Sequence, residues 1–414
     1  MATPICHPKG SERPKLEVAD IFRAHGQTYR ATHALTPDQA RVMRAIETCR
    51  TAELGGHVDV CDQCHFKRNA FNSCRNRHCP KCQNLAQAAW LKRQMARILQ
   101  THYFHVVFTL PGDLRSLTLY NRKRLFDLLF DTASQTLIDL GYDEDRLGAL
   151  LGVTAVLHTW TRDLSFHPHL HCIVTGGGLR LPQQDAARLP TEWVSRHGSR
   201  YLFPVKVMSR LFRAKFIDAL VRARDKGELV FGGLSAVLAE DDVWAAFKDK
   251  LYRKEWVVYA KRPFGGAEGV YKYLGRYTHR VGISNYRLQT IDEAGVRFST
   301  KDSKSAALKH EEFIRRFLLH VLPKGFVKIR HYGLFAPPNL RTKLVLAHQL
   351  LDRDSHHREQ TTEKDPDTTS EPDWRSAVFD LTGVDLTRCP QCETGTMIPE
   401  PLKRPRPPPP RIAA

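Results

Sequence analysis

Two cysteine pairs offer the first chemistry. Cys61-Asp-Gln-Cys64 and Cys79-Pro-Lys-Cys82 are both Cys-x-x-Cys turns, with fourteen residues between them. Each turn presents two thiolates on one side, and four thiolates complete a tetrahedral Zn²⁺ shell with no open position. The spacing is just under the ~15–20 residues usual for such pairs. It predicts one structural zinc on Cys61, Cys64, Cys79 and Cys82, with Cys74 or His78 able to replace one ligand. Within Cys74-Arg-Asn-Arg-His78, Arg75 and Arg77 suit contact with phosphate.

A second pattern is Phe166-His-Pro-His-Leu-His171. On a strand His169 and His171 share a face, so two imidazoles converge on one point while Leu170 turns to the core. That arrangement can hold a divalent metal, although a short histidine pattern alone is weak, because most buried histidines are simply hydrogen-bonded. His158 lies on the preceding strand-like run, in phase with Val156 and Trp160. If a hairpin pairs Trp160 with His169, His158 sits opposite His171 and supplies a third ligand. His279 is the next candidate.

The third is Tyr271-Lys-Tyr-Leu-Gly-Arg-Tyr-Thr-His-Arg280. Tyr273 and Tyr277 fall one above the other on a helix, with Lys272, Arg276 and Arg280 as an adjacent basic stripe. A phenol can attack phosphorus and store the bond energy in a covalent ester. An ordinary amphipathic helix would show the same spacing.

The elements that must position these residues follow from periodicity. Thr36-Pro37-Asp38 starts a helix over 39–50, and 85–101 reads as helical. Tyr103–Leu110 is strand-like, Leu114–Leu140 helical, Gly152–Trp160 and His169–Thr175 strands of a hairpin, Val207–Lys226 helical and Trp256–Ala260 a strand. Strand, helix, strand, strand, helix, strand is the order of a ferredoxin-like α+β domain, here with a helix over about 267–280 appended. Beyond it we expect a hairpin around Asp292–Gly295, a helix over Ala306–Leu322, a strand over Val327–Tyr332 and a helix over Asn339–Leu350. Gly176-Gly-Gly178 reads as a turn.

The expected division is an N-terminal helical segment (1–60), a cysteine-rich zinc-binding, DNA-binding domain (61–100) and a catalytic domain (101–345). A polar linker (352–373) with no apolar residue and a tail (374–414) carrying the lone pair Cys389/Cys392 follow.

Composition sets the class of partner. The 414 residues carry a formal charge of +19, with 42% hydrophobic and 26% charged residues, as in ordinary globular proteins. Between Asp241 and Val345 there are 21 basic and 10 acidic residues. Such an excess points to a polyanion. Neither a membrane-spanning apolar run nor a secretory signal is visible, so the expectation is a cytoplasmic protein with no membrane partner. Five of ten cysteines cluster between 61 and 82, which favours metal over disulfides.

Together these segments resemble the insertion sequence ninety-one family of rolling-circle transposases, within the histidine-hydrophobe-histidine (HUH) nucleases. The likeness runs from about His57 to Val345. It rests on Ser73-Cys-Arg-Asn-Arg-His-Cys-Pro-Lys-Cys-Gln83, His105-Val-Val-Phe-Thr-Leu-Pro111, His158-Thr-Trp with His167-Pro-His-Leu-His171, and Tyr273-Leu-Gly-Arg-Tyr-Thr-His-Arg-Val-Gly-Ile-Ser-Asn285. The resemblance implies His169 and His171 as the catalytic metal pair, with Mg²⁺ or Mn²⁺ as the ion, and Tyr273 and Tyr277 as nucleophiles. It implies a single-strand DNA endonuclease and strand transferase that acts at element ends through a 5′-phosphotyrosine. The alternatives are a plasmid replication initiator or relaxase of the same nuclease class, and a non-catalytic zinc-dependent DNA-binding protein.

Overall fold

The computed structural model describes residues 15–82, 97–180, 191–195, 202–264, 282–355 and 385–401, with Gln94 and Gly269. In chain order the first elements are α1 (Val18–Thr32), α2 (Pro37–Thr48), β1 (Gly56–Cys61), β2 (Lys67–Phe71) and β3 (Tyr103–Thr109). Next come α3 (Arg115–Tyr120), α4 (Arg122–Tyr142), β4 (Leu150–Trp160), β5 (Phe166–Arg180) and β6 (Glu192–Ser195). Then follow α5 (Val205–Asp225), α6 (Asp241–Arg253), β7 (Val258–Phe264), β8 (Leu288–Asp292), β9 (Gly295–Ser299) and β10 (Ser305–Leu308). The last are α7 (His310–Leu318), β11 (Ile329–Gly333), α8 (Lys343–Ser355) and β12 (Met397–Pro401). The chain forms two compact units, one from the described residues of 1–90, 279–321 and 366–414, the other from those of 91–278 and 322–365.

The second unit is the ferredoxin-like α+β core expected from the order of elements. Its six-stranded antiparallel sheet runs β11-β4-β5-β3-β7, with β6 on the far end of β5. The order β4-β5-β3-β7 places the first and third core strands at the centre, as two split βαβ crossovers require. Helices α4 and α5 pack together on one face. Phe108 meets Phe212 edge-on at 5.0 Å there, and Phe212 and Phe216 close on Trp256. Side chains alternate along a strand, so Phe104, Val106 and Phe108 enter this core while His105, Val107 and Thr109 face the other way. Edge strand β11 is tied down by Arg330, which pairs with Asp127 and lies 4.3 Å over the Phe130 ring.

The first unit is built from separated segments. Thr36 caps α2: its hydroxyl accepts from the Gln39 amide at 3.3 Å, while the Gln39 side chain accepts from the Thr36 amide at 3.0 Å. Pro37 fills the first helical position. Phe22 on α1 meets Phe317 on α7 at 5.3 Å, and the Val18 amide donates to Asn285 Oδ1. Two small antiparallel sheets, β12-β1-β2 and β10-β9-β8, complete it.

Several expectations are corrected. The compact units do not follow the expected bounds 1–60, 61–100 and 101–345: β8 to α7 group with α1, α2, β1 and β2 in the first unit. Within the tail, β12 pairs with β1, Cys61 opposite Met397. Ala306 and Ala307 lie in a strand, and the helix starts only at His310, where β10 has finished closing its sheet. Residues 352–355, read as linker, extend α8. Gly176–Gly178 is strand, not turn: a Cβ on Gly177 would lie 2.4 Å from the Val194 carbonyl and one on Gly178 2.7 Å from that of Leu150. Glycine serves close strand approach here. The helical expectation over 85–101 falls largely outside the described residues.

Candidate active site and metal centres

Three neighbouring strands bring four histidines to the face of the large sheet opposite the Phe108–Phe212 core. In antiparallel pairing, residues directly opposite share a face. His169 stands opposite Thr109 of β3 and His158 of β4, and His171 opposite Val107 and Val156. The expected register, Trp160 against His169, is therefore off by two: Trp160 pairs with Phe166 across a bulge. Pro168, which has no amide hydrogen to give, sits at that bulge. A shift of two preserves side-chain parity, so His158 still joins the site. Donor nitrogens of His158, His169 and His171 all lie within 4.8 Å of one another.

The surroundings prepare these rings as neutral ligands. His169 Nδ1 lies 2.7 Å from the His167 carbonyl oxygen, so it carries the proton and leaves Nε2 as the donor atom. His171 Nδ1 and His105 Nε2 are 2.8 Å apart and share one hydrogen, and the two rings stack. Such partners hold a ligating imidazole in one tautomer and one orientation. Trp160 stacks on His158 at 4.6 Å. Burial, and then the neighbouring charges, depress the imidazolium forms, to about 4 for His169 and about 3 for His105, with His171 lowered as well. Metal binding requires that neutral state. Three imidazoles fit a divalent transition ion such as Mn²⁺ better than Mg²⁺, which prefers oxygen. Tyr273, Tyr277, Lys272, Arg276, Arg280 and His279 lie outside the described residues.

The cysteines are grouped differently from the expectation. Cys61, Cys64, Cys79 and Cys82 do not form one set. Cys79 and Cys82 join Cys49, at the end of α2, and Cys74. In that cluster Cys49 Sγ is 3.4 Å and Cys74 Sγ 3.5 Å from Cys82 Sγ. Cys61 and Cys64 instead face Cys389 and Cys392. Of the two proposed spares, Cys74 is a cluster member, whereas His78 is turned to Asn76, its Nδ1 3.2 Å from Asn76 Oδ1. The regrouping has a plain cause: β1 runs straight into Cys61, and its other neighbour is β12, so the tail arrives beside the first turn. Cys49 and His105 were missed. No spacing rule reaches from a helix end to a distant turn, and His105 acquires its role only through strand pairing. Arg75, in the left-handed region at φ 51, and Arg77 are both exposed beside the Cys74 cluster.

Two family models match the chain. One, described as "Transposase zinc-binding domain", covers residues 21–110, which include the group Cys49, Cys74, Cys79 and Cys82, whose geometry could hold a metal ion, and also Cys61 and Cys64. The other, described as "Putative transposase", covers residues 152–343. Over 389 residues the chain is 46% identical to "Putative transposase y4qJ" of Sinorhizobium fredii (strain NBRC 101917 / NGR234), spanning 92% of this chain and 94% of that protein. Over 296 residues it is 29% identical to "Transposase for insertion sequence element IS801" of Pseudomonas savastanoi pv. phaseolicola, spanning 70% and 68%. No solved structure matches. A zinc-binding domain, a transposase domain and similarity along nearly the whole length of one relative place the chain in the insertion sequence ninety-one family of transposases, enzymes that act on DNA.

Proposed function

We propose that this transposase nicks and rejoins single-stranded DNA at the ends of its element, through a 5′-phosphotyrosine on Tyr273 or Tyr277, and so moves one strand by a rolling-circle route. The observation that supports this best is the convergence of His158, His169 and His171 on one face of a ferredoxin-like sheet. A divalent ion held by these three rings, Mn²⁺ or Mg²⁺, supplies Lewis acidity at a phosphate oxygen. The chain's own part is to hold the rings neutral and aimed, through His105 and the His167 carbonyl, and to provide the phenols. A tyrosine oxygen bonds to phosphorus as the bond to the 3′-oxygen breaks, and the phenolic proton leaves with the freed 3′-hydroxyl or to solvent. Attack by a 3′-hydroxyl on the ester reverses the step and restores the phenol. Two tyrosines four residues apart permit two such transfers without release. Arg75, Arg77, Lys272, Arg276 and Arg280 are the proposed phosphate contacts.

The test is mass spectrometry of the protein after incubation with a single-stranded element-end oligonucleotide and Mn²⁺. Wild type and each single Tyr→Phe variant at 273 or 277 should gain a covalent nucleotide mass. The double variant and His169→Ala should gain none, with zinc content unchanged in both. An adduct in the double variant would place the nucleophile on another element.

A further inference from the structure

We propose that Cys61, Cys64, Cys389 and Cys392 bind a second zinc, which clasps the C-terminal strand to the N-terminal unit. The inference does not rest on the nicking reaction. The zinc-binding domain matched in the chain ends at residue 110, so it leaves Cys389 and Cys392 without a role.

The two turns are copies of one conformation. Cys61 Sγ accepts from the amides of Gln63 and Cys64, both at 3.4 Å. On the other side, Cys389 Sγ accepts from the Gln391 amide at 3.4 Å, and Cys392 Sγ from the Gly395 amide at 3.3 Å. The Cys61 carbonyl accepts from the His65 amide and the Cys389 carbonyl from that of Glu393. His65 and Glu393 occupy the left-handed region, at φ 57 and 58. Turns that aim these four amides at sulfur are suited to thiolates rather than thiols, because N–H dipoles offset anionic charge.

The distances agree with a shared ion. Cys61 Sγ lies 3.6 Å from Cys392 Sγ, and Cys64 Sγ 3.6 Å from Cys389 Sγ. A tetrahedral Zn–S shell with bonds of ~2.3 Å separates sulfurs by ~3.8 Å, whereas a disulfide needs ~2.05 Å. All four sulfurs lie within 4.8 Å of one another. Cys61 and Cys389 are fully buried, and Gly395 is required beside them, since a Cβ there would lie 2.3 Å from Cys61 Sγ.

Apolar packing alone does not account for the junction. Its buried cluster is Cys61, Cys389 and Met397, with Phe66 and Cys392 partly buried against it, and the other four residues of β12 are exposed. Of those five residues, three are cysteines. Sites of this size ordinarily fold on metal.

The experiment uses the full-length protein. Metal analysis after a mild chelator wash, which strips the weaker histidine site, should give two zinc per chain. Cys389→Ser/Cys392→Ser should give one, and so should Gly395→Val, which leaves every thiol in place. A protease site inserted after residue 362, then cut in folded wild type, provides a second readout. The fragment carrying β12 should remain bound in zinc buffer and dissociate when a mercurial titrates the thiols. One zinc per chain in the wild type, iron in place of the second zinc, or a fragment whose retention ignores metal removal would overturn the proposal.

Discussion

At the scale of single residues, His105 is the side chain that would orient the proposed metal site. It is buried on the strand next to His171 and shares a hydrogen with it, so its removal frees the His171 ring to turn and exchange tautomers. We expect His105→Phe to keep the fold, because the ring volume stays, and to weaken divalent-ion affinity by about 10–100-fold. His158→Ala removes a ligand itself and should raise the Mn²⁺ concentration needed for adduct formation at least as much. Isothermal titration with Mn²⁺, beside an adduct assay at several Mn²⁺ concentrations, reads both. If His105→Phe binds Mn²⁺ as tightly as wild type, the shared hydrogen is incidental. His169 and His171 were legible because two residues on one strand need only parity to share a face. His158 was legible for the same reason, even though the register behind it was wrong. His105 was not, since nothing local distinguishes it from a buried core histidine.

At the scale of elements, the β4–β5 hairpin shows what sequence periodicity leaves open. The five residues between the strands fold into a compact turn in which the Thr161 amide donates to the Ser165 carbonyl at 3.0 Å and Leu164 adopts φ 64. A leucine in that region costs ~1–2 kcal/mol. Burial of its side chain contributes ~1.5–3 kcal/mol and outweighs the strain. No residue preference announces such a turn, which is why the register was misjudged by two. Glycine was misread for a related reason: it signals both turns and close strand approach, and only the neighbouring carbonyls of Val194 and Leu150 separate the cases. Gly178→Ala should cost ~1–3 kcal/mol, since the obstacle is backbone that cannot rotate away. Gly112→Ala, with nothing within 4 Å of its Cβ, should leave the melting temperature nearly unchanged. Thermal denaturation of the two variants makes the comparison, and equal midpoints would contradict it.

At the scale of the whole molecule, charge governs the encounter with DNA. A formal +19 favours a polyanion before any specific contact forms. Each phosphate neutralised on a single strand contributes ~0.7 to the slope of log affinity against log salt. Arg75→Ala/Arg77→Ala should therefore flatten that slope by about 1.4 for an element-end oligonucleotide. Fluorescence anisotropy across a salt series measures it, and an unchanged slope would remove both arginines from the interface. The catalytic core was legible at this scale because its strands and helices follow one another along the chain. The first unit was not, since it is assembled from three stretches separated by segments of the second unit.

The pairing of β12 with β1 also sets an order of events during synthesis. β1 finds β2 within a few residues, but Cys392 follows Cys61 by 331 residues. At ~5–20 residues per second that is a wait of roughly 15–65 s, during which one edge of β1 has no neighbour. A chain that stops at residue 390 already carries every histidine and tyrosine of the candidate active site, yet it lacks the strand that closes the first unit. Translation through Met397–Pro401 is thus the step that gives β1 its second neighbour and brings Cys389 and Cys392 to Cys61 and Cys64.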